Sequence, residues 1–271
     1  MDSSHLRTKS NYHSRSVSLP SGFHTLIPHI DENLKLNGLQ MMFDRLDVLL
    51  LLPHTQQSFS QPQHKTWVEE VLEKYLRLLD ICAAAKDMST QTKQDVQNLL
   101  SILRRRRDTN QCAAYLASRK KAKKVIQKSL KDLKSIRSKS AIIAFNQGNG
   151  ILEIVSLLNE VEAATIEALE FLLSYMVGTK MESTTVGFSL VSKLMNHKKV
   201  ASREEETNTN AFEKFDAALH SLNSHKTSET NDVQNELGIL ELSIQDMEGG
   251  LECLFRRLIK SRVSLLNILN H

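Results

Sequence analysis

The 271-residue chain has little of what builds sheets and turns. It holds only 4 prolines, at Pro20, Pro28, Pro53 and Pro62, so the last 209 residues contain none. Glycine is equally sparse, 9 in all, with none between Gly38 and Gly148. Aromatic residues make up 5% of the chain. A β-sandwich or barrel needs many turns and many β-branched or aromatic strand positions. A doubly wound sheet needs glycine-rich turns between strands and helices. Both are excluded, and the glycine count leaves no place for a phosphate-cradling loop. The 3 cysteines, Cys82, Cys112 and Cys253, lie far apart without a Cys-x-x-Cys spacing. They form neither a disulfide framework nor a zinc site, which fits a reducing compartment.

Long apolar runs are also missing. Runs such as Val48–Leu52 and Ala141–Phe145, five residues each, fall far short of the ~20 residues that span a bilayer. The most hydrophobic long stretch, Ile151–Val177, carries five acids. Hydrophobic residues still amount to 41%, enough for a packed core. The expected class is therefore all-α: a disordered arm over residues 1–30, then a bundle of long antiparallel helices over 31–271.

Residues 3–30 contain no acid, and 7 Ser, 4 His and 3 basic residues. Such a start fits an organelle transit peptide or a solvated tail that carries short motifs. Pro20 and Leu26-Ile27-Pro28 interrupt an amphipathic helix and favour the tail. Without an apolar signal region, secretion is not expected. The expected placement is cytoplasmic, with nuclear or peripheral-membrane placement as alternatives.

Hydrophobic periodicity predicts a first helix from an Asp31 cap to Leu52, stopped by Pro53, then a polar link Thr55–Ser60. Ser60 and Pro62 then open a second helical stretch of about 40 residues, either a hairpin with its break expected near Ser89-Thr90 or a coiled-coil-like rod. Gln147-Gly148-Asn149-Gly150 reads as a turn, and Gly178 as the stop of the helix Ile151–Val177. Shorter helical pieces are expected over Thr184–Met195 and around Phe212, Phe215, Leu219 and Leu222. The C-terminal stretch is the most regular. Val233, Leu237, Leu240, Ile244, Met247, Leu251, Leu254, Leu258, Ser261, Leu265 and Ile268 alternate steps of four and three, a coiled-coil-like seam. Flanked by other long helices, it reads as intrachain packing, with dimerisation as the alternative. Gly249-Gly250 interrupts this helix as a kink or a close-packing site.

The net charge of +4 conceals a division. Residues 104–139 hold 14 Lys and Arg against Asp108 and Asp132, a charge of +12, which leaves −8 for the rest. The candidate basic surface comprises Arg104, Arg105, Arg106, Arg107, Arg119, Lys120, Lys121, Lys123 and Lys124. An apolar stripe of Leu116, Ile126, Leu130, Leu133 and Ile136 makes the segment an amphipathic helix. It either packs against the acidic helix 151–177 or binds an anionic membrane or nucleic acid. Tyr115 is the one aromatic among the bases, which disfavours single-stranded nucleic acid.

No His cluster, P-loop or nucleophile elbow is present, so neither enzyme activity, metal nor cofactor is expected. The arm offers Arg15-Ser16-Val17-Ser18-Leu19-Pro20, which resembles the phosphoserine motif bound by 14-3-3 proteins. Ser18 would accept the phosphate, with Arg15 suiting basophilic kinases and Pro20 bending the chain away.

Several strings together resemble the plant-specific BYPASS-related proteins, a helical family. They are His13–Ser21, Leu26–Glu32, Leu78–Cys82 with Ala85-Lys86-Asp87, Arg104–Arg107, Ser118–Lys121, Glu160–Ala163, and above all Asp246–Ile259 continuing through Arg262–Leu269. The resemblance implies a plant source and an association with root and shoot development. It carries no catalytic residues. The leading expectation is a non-enzymatic interaction or scaffold protein with protein partners, phospho-regulated through Ser18. A peripheral binder of anionic membrane or nucleic acid through 104–139 is the alternative.

Overall fold

The computed structural model describes residues 36–104, 110–138, 149–178, 210–223 and 230–270. Among these residues there are seven helices and no strand: α1 (Leu36–Leu50), α2 (Pro53–Phe59), α3 (Pro62–Arg104), α4 (Asn110–Ser138), α5 (Asn149–Val177), α6 (Ala211–Asn223) and α7 (Thr230–Asn270). The expected all-α bundle is what the chain forms. The arm, the Asp31 cap and the piece expected over Thr184–Met195 lie outside the described residues.

The prolines act as helix boundaries. Leu52 takes an extended backbone (φ −67°, ψ 132°), as a residue before proline prefers, and α1 ends at Leu50. Pro53 then starts α2 rather than ending all helical structure. The expected polar link is this short helix. It forms because Phe59 is fully buried against Trp67, ring centroids 5.4 Å apart. Ser60 closes α2 instead of capping α3: its hydroxyl donates to the Gln57 carbonyl at 3.1 Å.

Helices α3 and α7, of 43 and 41 residues, are the longest. They run antiparallel, as Lys86–Glu252, Lys93–Glu248 and Gln97–Glu241 contacts show. Every position of the predicted seam on α7 is buried, at 1% exposure or less, so the heptad is core rather than a dimer face. Lys93 and Thr90 both reach Glu248, so the flanking polar rungs run through the expected break at Ser89-Thr90. α3 is unbroken there. Gly249-Gly250 likewise lies within continuous helix, with Gly249 exposed and Gly250 buried.

Ser261 is the one polar residue of the seam. Its hydroxyl donates to Asp47 of α1 at 3.4 Å, and Lys260 pairs with the same carboxylate at 2.9 Å. Tyr75 of α3 is fully buried nearby, and its hydroxyl is harder to ionise, through burial first and then the Glu162 and Asp47 carboxylates. Such a polar layer costs desolvation but admits one register between α1, α3 and α7.

Neighbouring helices circulate in the order α4–α3–α7–α1–α5 and back to α4. The shorter α6 packs on α7 and is tied to the end of α5, where the Asn210 side chain donates to the Tyr175 carbonyl at 2.7 Å. Gly178 ends α5 with φ 82°, the left-handed C′ position expected of it. Asn149 and Gly150, read as part of a turn, are instead the first residues of α5. A single core runs through all seven helices.

Candidate interaction surface

The basic helix is α4, residues 110–138, and it is shorter than the basic segment. Arg104 closes α3, and Arg105, Arg106 and Arg107 lie outside the described residues. Within α4 nine bases face one acid, Asp132. The expected stripe is buried at Ile126, Leu133 and Ile136 and half-buried at Leu116 and Leu130, joined by Tyr115 and Ala122.

Three of the nine bases pair with acids of neighbouring helices. Arg119 was assigned to the basic surface, yet its side chain is 3% exposed. Its position in the helical period places it with Tyr115, Ala122 and Ile126 on the inner face. The Arg119 Nε lies 3.4 Å from an Asp216 carboxylate oxygen of α6, and its guanidinium carbon stands 4.5 Å above the Phe212 ring. Neither Nη group has a hydrogen-bond partner among the described residues. Lys123, also assigned to the surface, is about a third exposed and pairs with the other Asp216 oxygen at 2.8 Å. Arg137 reaches Glu170 of α5 at 2.8 Å.

Aromatic packing fixes this corner. Tyr115 meets Phe215 edge-on at 5.3 Å, and Phe212 meets Tyr175 edge-on at 5.8 Å. The Tyr115 hydroxyl ionises less readily than usual, mainly through burial, with Arg119 opposing that shift and Asp216 and Asp95 adding to it.

Thus the basic helix does pair internally, though differently from the simple match of α4 with α5. Among the described residues, two of its three pairs use Asp216 of α6, and only Arg137 uses an α5 acid. The other paired α5 acids serve different helices: Glu162 holds Lys74 of α3 at 3.2 Å, and Glu153 holds Arg45 of α1.

The remaining six bases, Lys120, Lys121, Lys124, Lys128, Lys131 and Lys134, are all exposed. None makes an ion pair among the described residues. Their spacing keeps them on one side of the helix, opposite the buried stripe, over about 21 Å at 1.5 Å per residue. The expected Lys120, Lys121 and Lys124 belong to this ribbon. Lys128, Lys131 and Lys134 were missed, although steps of four, three and three from Lys124 carry them along the same face. Asp132 lies at its margin and is half-buried.

No other constellation competes. Among the described residues no three His, Cys, Asp or Glu side chains gather as a metal would require. No described helix is long and apolar enough to cross a membrane. Cys82 is a buried thiol that donates to the Leu251 carbonyl at 3.4 Å, and burial pushes it up to about 12. Arg15, Ser18 and Pro20 lie outside the described residues.

No curated protein and no solved structure matches the chain. A family model, described as Protein BPS1, matches residues 35–268, from just before α1 to the last turns of α7. The match spans every described helix and most of the strings that carried the BYPASS resemblance, and the chain belongs to the Protein BPS1 family.

Proposed function

We propose that this chain is a non-enzymatic interaction protein of plant growth control, and that its docking face is the outer side of α4. One observation carries the reading: six exposed lysines share a face and have no ion-pair partner among the described residues. Arg119, Lys123 and Arg137 make the ion pairs that join α4 to its neighbours among the described residues. The ribbon therefore adds nothing to the bundle's own pairing, and like charges so close weaken the fold slightly. A surface of that kind is accounted for by an anionic partner. Family membership supports the association with root and shoot development.

The test is proximity labelling in plant cells with the wild type and a K120E/K124E/K128E variant. The variant should lose a defined set of neighbours while its helical circular dichroism is unchanged. Identical neighbours would remove α4 from the function.

A second reading rests on the arm. Arg15, Ser18 and Pro20 fit a phosphoserine-binding adaptor such as a 14-3-3 protein, which would make partner access phosphorylation-dependent. A pulldown with phospho-Ser18 peptide against its Ser18→Ala form tests it. Equal recovery of partners from both would end that reading.

A further inference from the structure

We infer that the partner of the α4 face is a membrane surface of anionic headgroups, against which the bundle lies side-on. This rests on the reading of that face as a docking surface and names its ligand.

The kind of base comes first. The two arginines of α4 are both already paired, Arg119 buried on Asp216 and the half-exposed Arg137 on Glu170. The exposed bases of α4 left without an ion pair among the described residues are all lysine. Arginine grips a phosphate bidentately, whereas lysine acts as a hydrated point charge. A row of point charges suits a diffuse anionic plane better than discrete, positioned phosphates.

Geometry argues the same way. A helix that reads duplex DNA enters a major groove about 12 Å wide, which one helix nearly fills. α4 cannot enter alone, because α3 packs on one flank and α5 on another. Packed helices sit 8–10 Å apart. The neighbours would strike the phosphate strands before the lysines reached the groove floor. Single-stranded nucleic acid needs aromatic platforms, and Tyr115, the one aromatic of α4, is buried against Phe215. A flat anionic surface has neither requirement. It can meet all six lysines at once along the ~21 Å ribbon, within the ~8 Å screening distance at physiological salt.

The face also lacks an insertion device. Val125, the exposed large apolar residue of α4, stands at the ribbon's edge and is 39% exposed. Binding is therefore electrostatic, peripheral and reversed by salt.

The experiment uses the full chain and sedimented phosphatidylcholine vesicles with and without phosphatidylserine, at low, physiological and high salt. The wild type should bind only vesicles containing phosphatidylserine and should be released by high salt. Each lysine contributes about fivefold to partitioning. Lys124→Gln, Lys128→Gln and Lys131→Gln together should weaken binding on the order of a hundredfold. These side chains are exposed, so the triple variant should keep the wild-type helical signal and melting temperature. A control, Lys65→Gln with Lys214→Gln, removes exposed charges from α3 and α6 and should leave binding nearly unchanged. Equal losses in control and triple variants would overturn the assignment to α4.

A parallel arm uses duplex DNA and the cellular neighbours of the protein. Failure to bind anionic vesicles at low salt, with lysine-dependent capture of DNA or of a protein, would overturn the membrane and leave the docking face standing. If neither vesicles, DNA nor cellular neighbours depend on these lysines, both readings fall.

Discussion

Removing the Asp216 carboxylate is the sharpest test of how the basic helix is held. Among the described residues Asp216 is the only acid paired with Arg119, whose side chain is 3% exposed, and it also pairs with Lys123. In Asp216→Ala the guanidinium stays buried over Phe212 with no counter-charge. Breaking a buried pair by deleting one partner costs about 3–5 kcal/mol. Asp216 is itself 17% exposed and the Arg119 contact is long, 3.4 Å, so the low end applies, about 3 kcal/mol. For a chain of this size that lowers Tm by roughly 6–12 °C. Arg119→Met should be milder, about 1 kcal/mol, because Lys123 still neutralises Asp216 and an apolar side chain can lie on the Phe212 ring. The double variant should cost only about 1.5 kcal/mol, since no buried charge is then left unpaired. Thus the cycle should report a coupling of about 2.5 kcal/mol. Urea unfolding of the four proteins, followed by circular dichroism, measures it. An Asp216→Ala cost under about 1 kcal/mol, or a double variant equal to the sum of the singles, would refute the buried-charge account.

Other perturbations follow from the same structure. Gly238 and Gly249 lie within α7 with open space around an added Cβ, so Gly→Ala at either should stabilise by about 0.8–1 kcal/mol in urea unfolding. Gly178→Ala should destabilise by about 1–2 kcal/mol, because φ is +82° there, and a neutral effect in the same assay would contradict the left-handed stop. Burial raises the Glu167 carboxyl above its ordinary range, with Arg137 opposing and Glu170 adding to it. A raised carboxyl means that the fold disfavours the ionised form. Glu167→Gln should therefore stabilise at neutral pH, and the gain should fade as pH drops below the ordinary carboxyl value near 4. An identical gain at pH 7 and well below 4 would speak against it. Finally, the Cys82 thiol should resist maleimide in the native protein and react once denaturant unfolds it, as mass spectrometry of the labelled peptide would show.

Much of the fold was legible from the chain. The seam from Val233 to Ile268 could be read because helical period and burial follow one rule: an apolar residue every three or four positions must face something dry. The stop at Gly178 was legible for a local reason, since only a residue without Cβ takes φ +82° without strain. Errors arose where distant contacts overruled local signals. Thr55–Ser60 looks like a polar link, but Phe59 meets Trp67 and draws the segment into helix α2. Ser89-Thr90 looks like a break, yet Glu248 on α7 holds both Thr90 and Lys93 across it.

The candidate surface divides along the same line. Periodicity along one helix determines that α4 is amphipathic and which bases share a side, because both depend only on positions within that helix. Which side is free depends on charges far away in sequence. Asp216 lies 97 residues from Arg119, and Glu170 also comes from another helix. Only the assembled bundle brings those acids to α4. It pairs Arg119, Lys123 and Arg137 with acids of other helices, burying Arg119, and leaves Lys120, Lys121, Lys124, Lys128, Lys131 and Lys134 facing outward, since a buried cation needs a counter-charge and a solvated one does not.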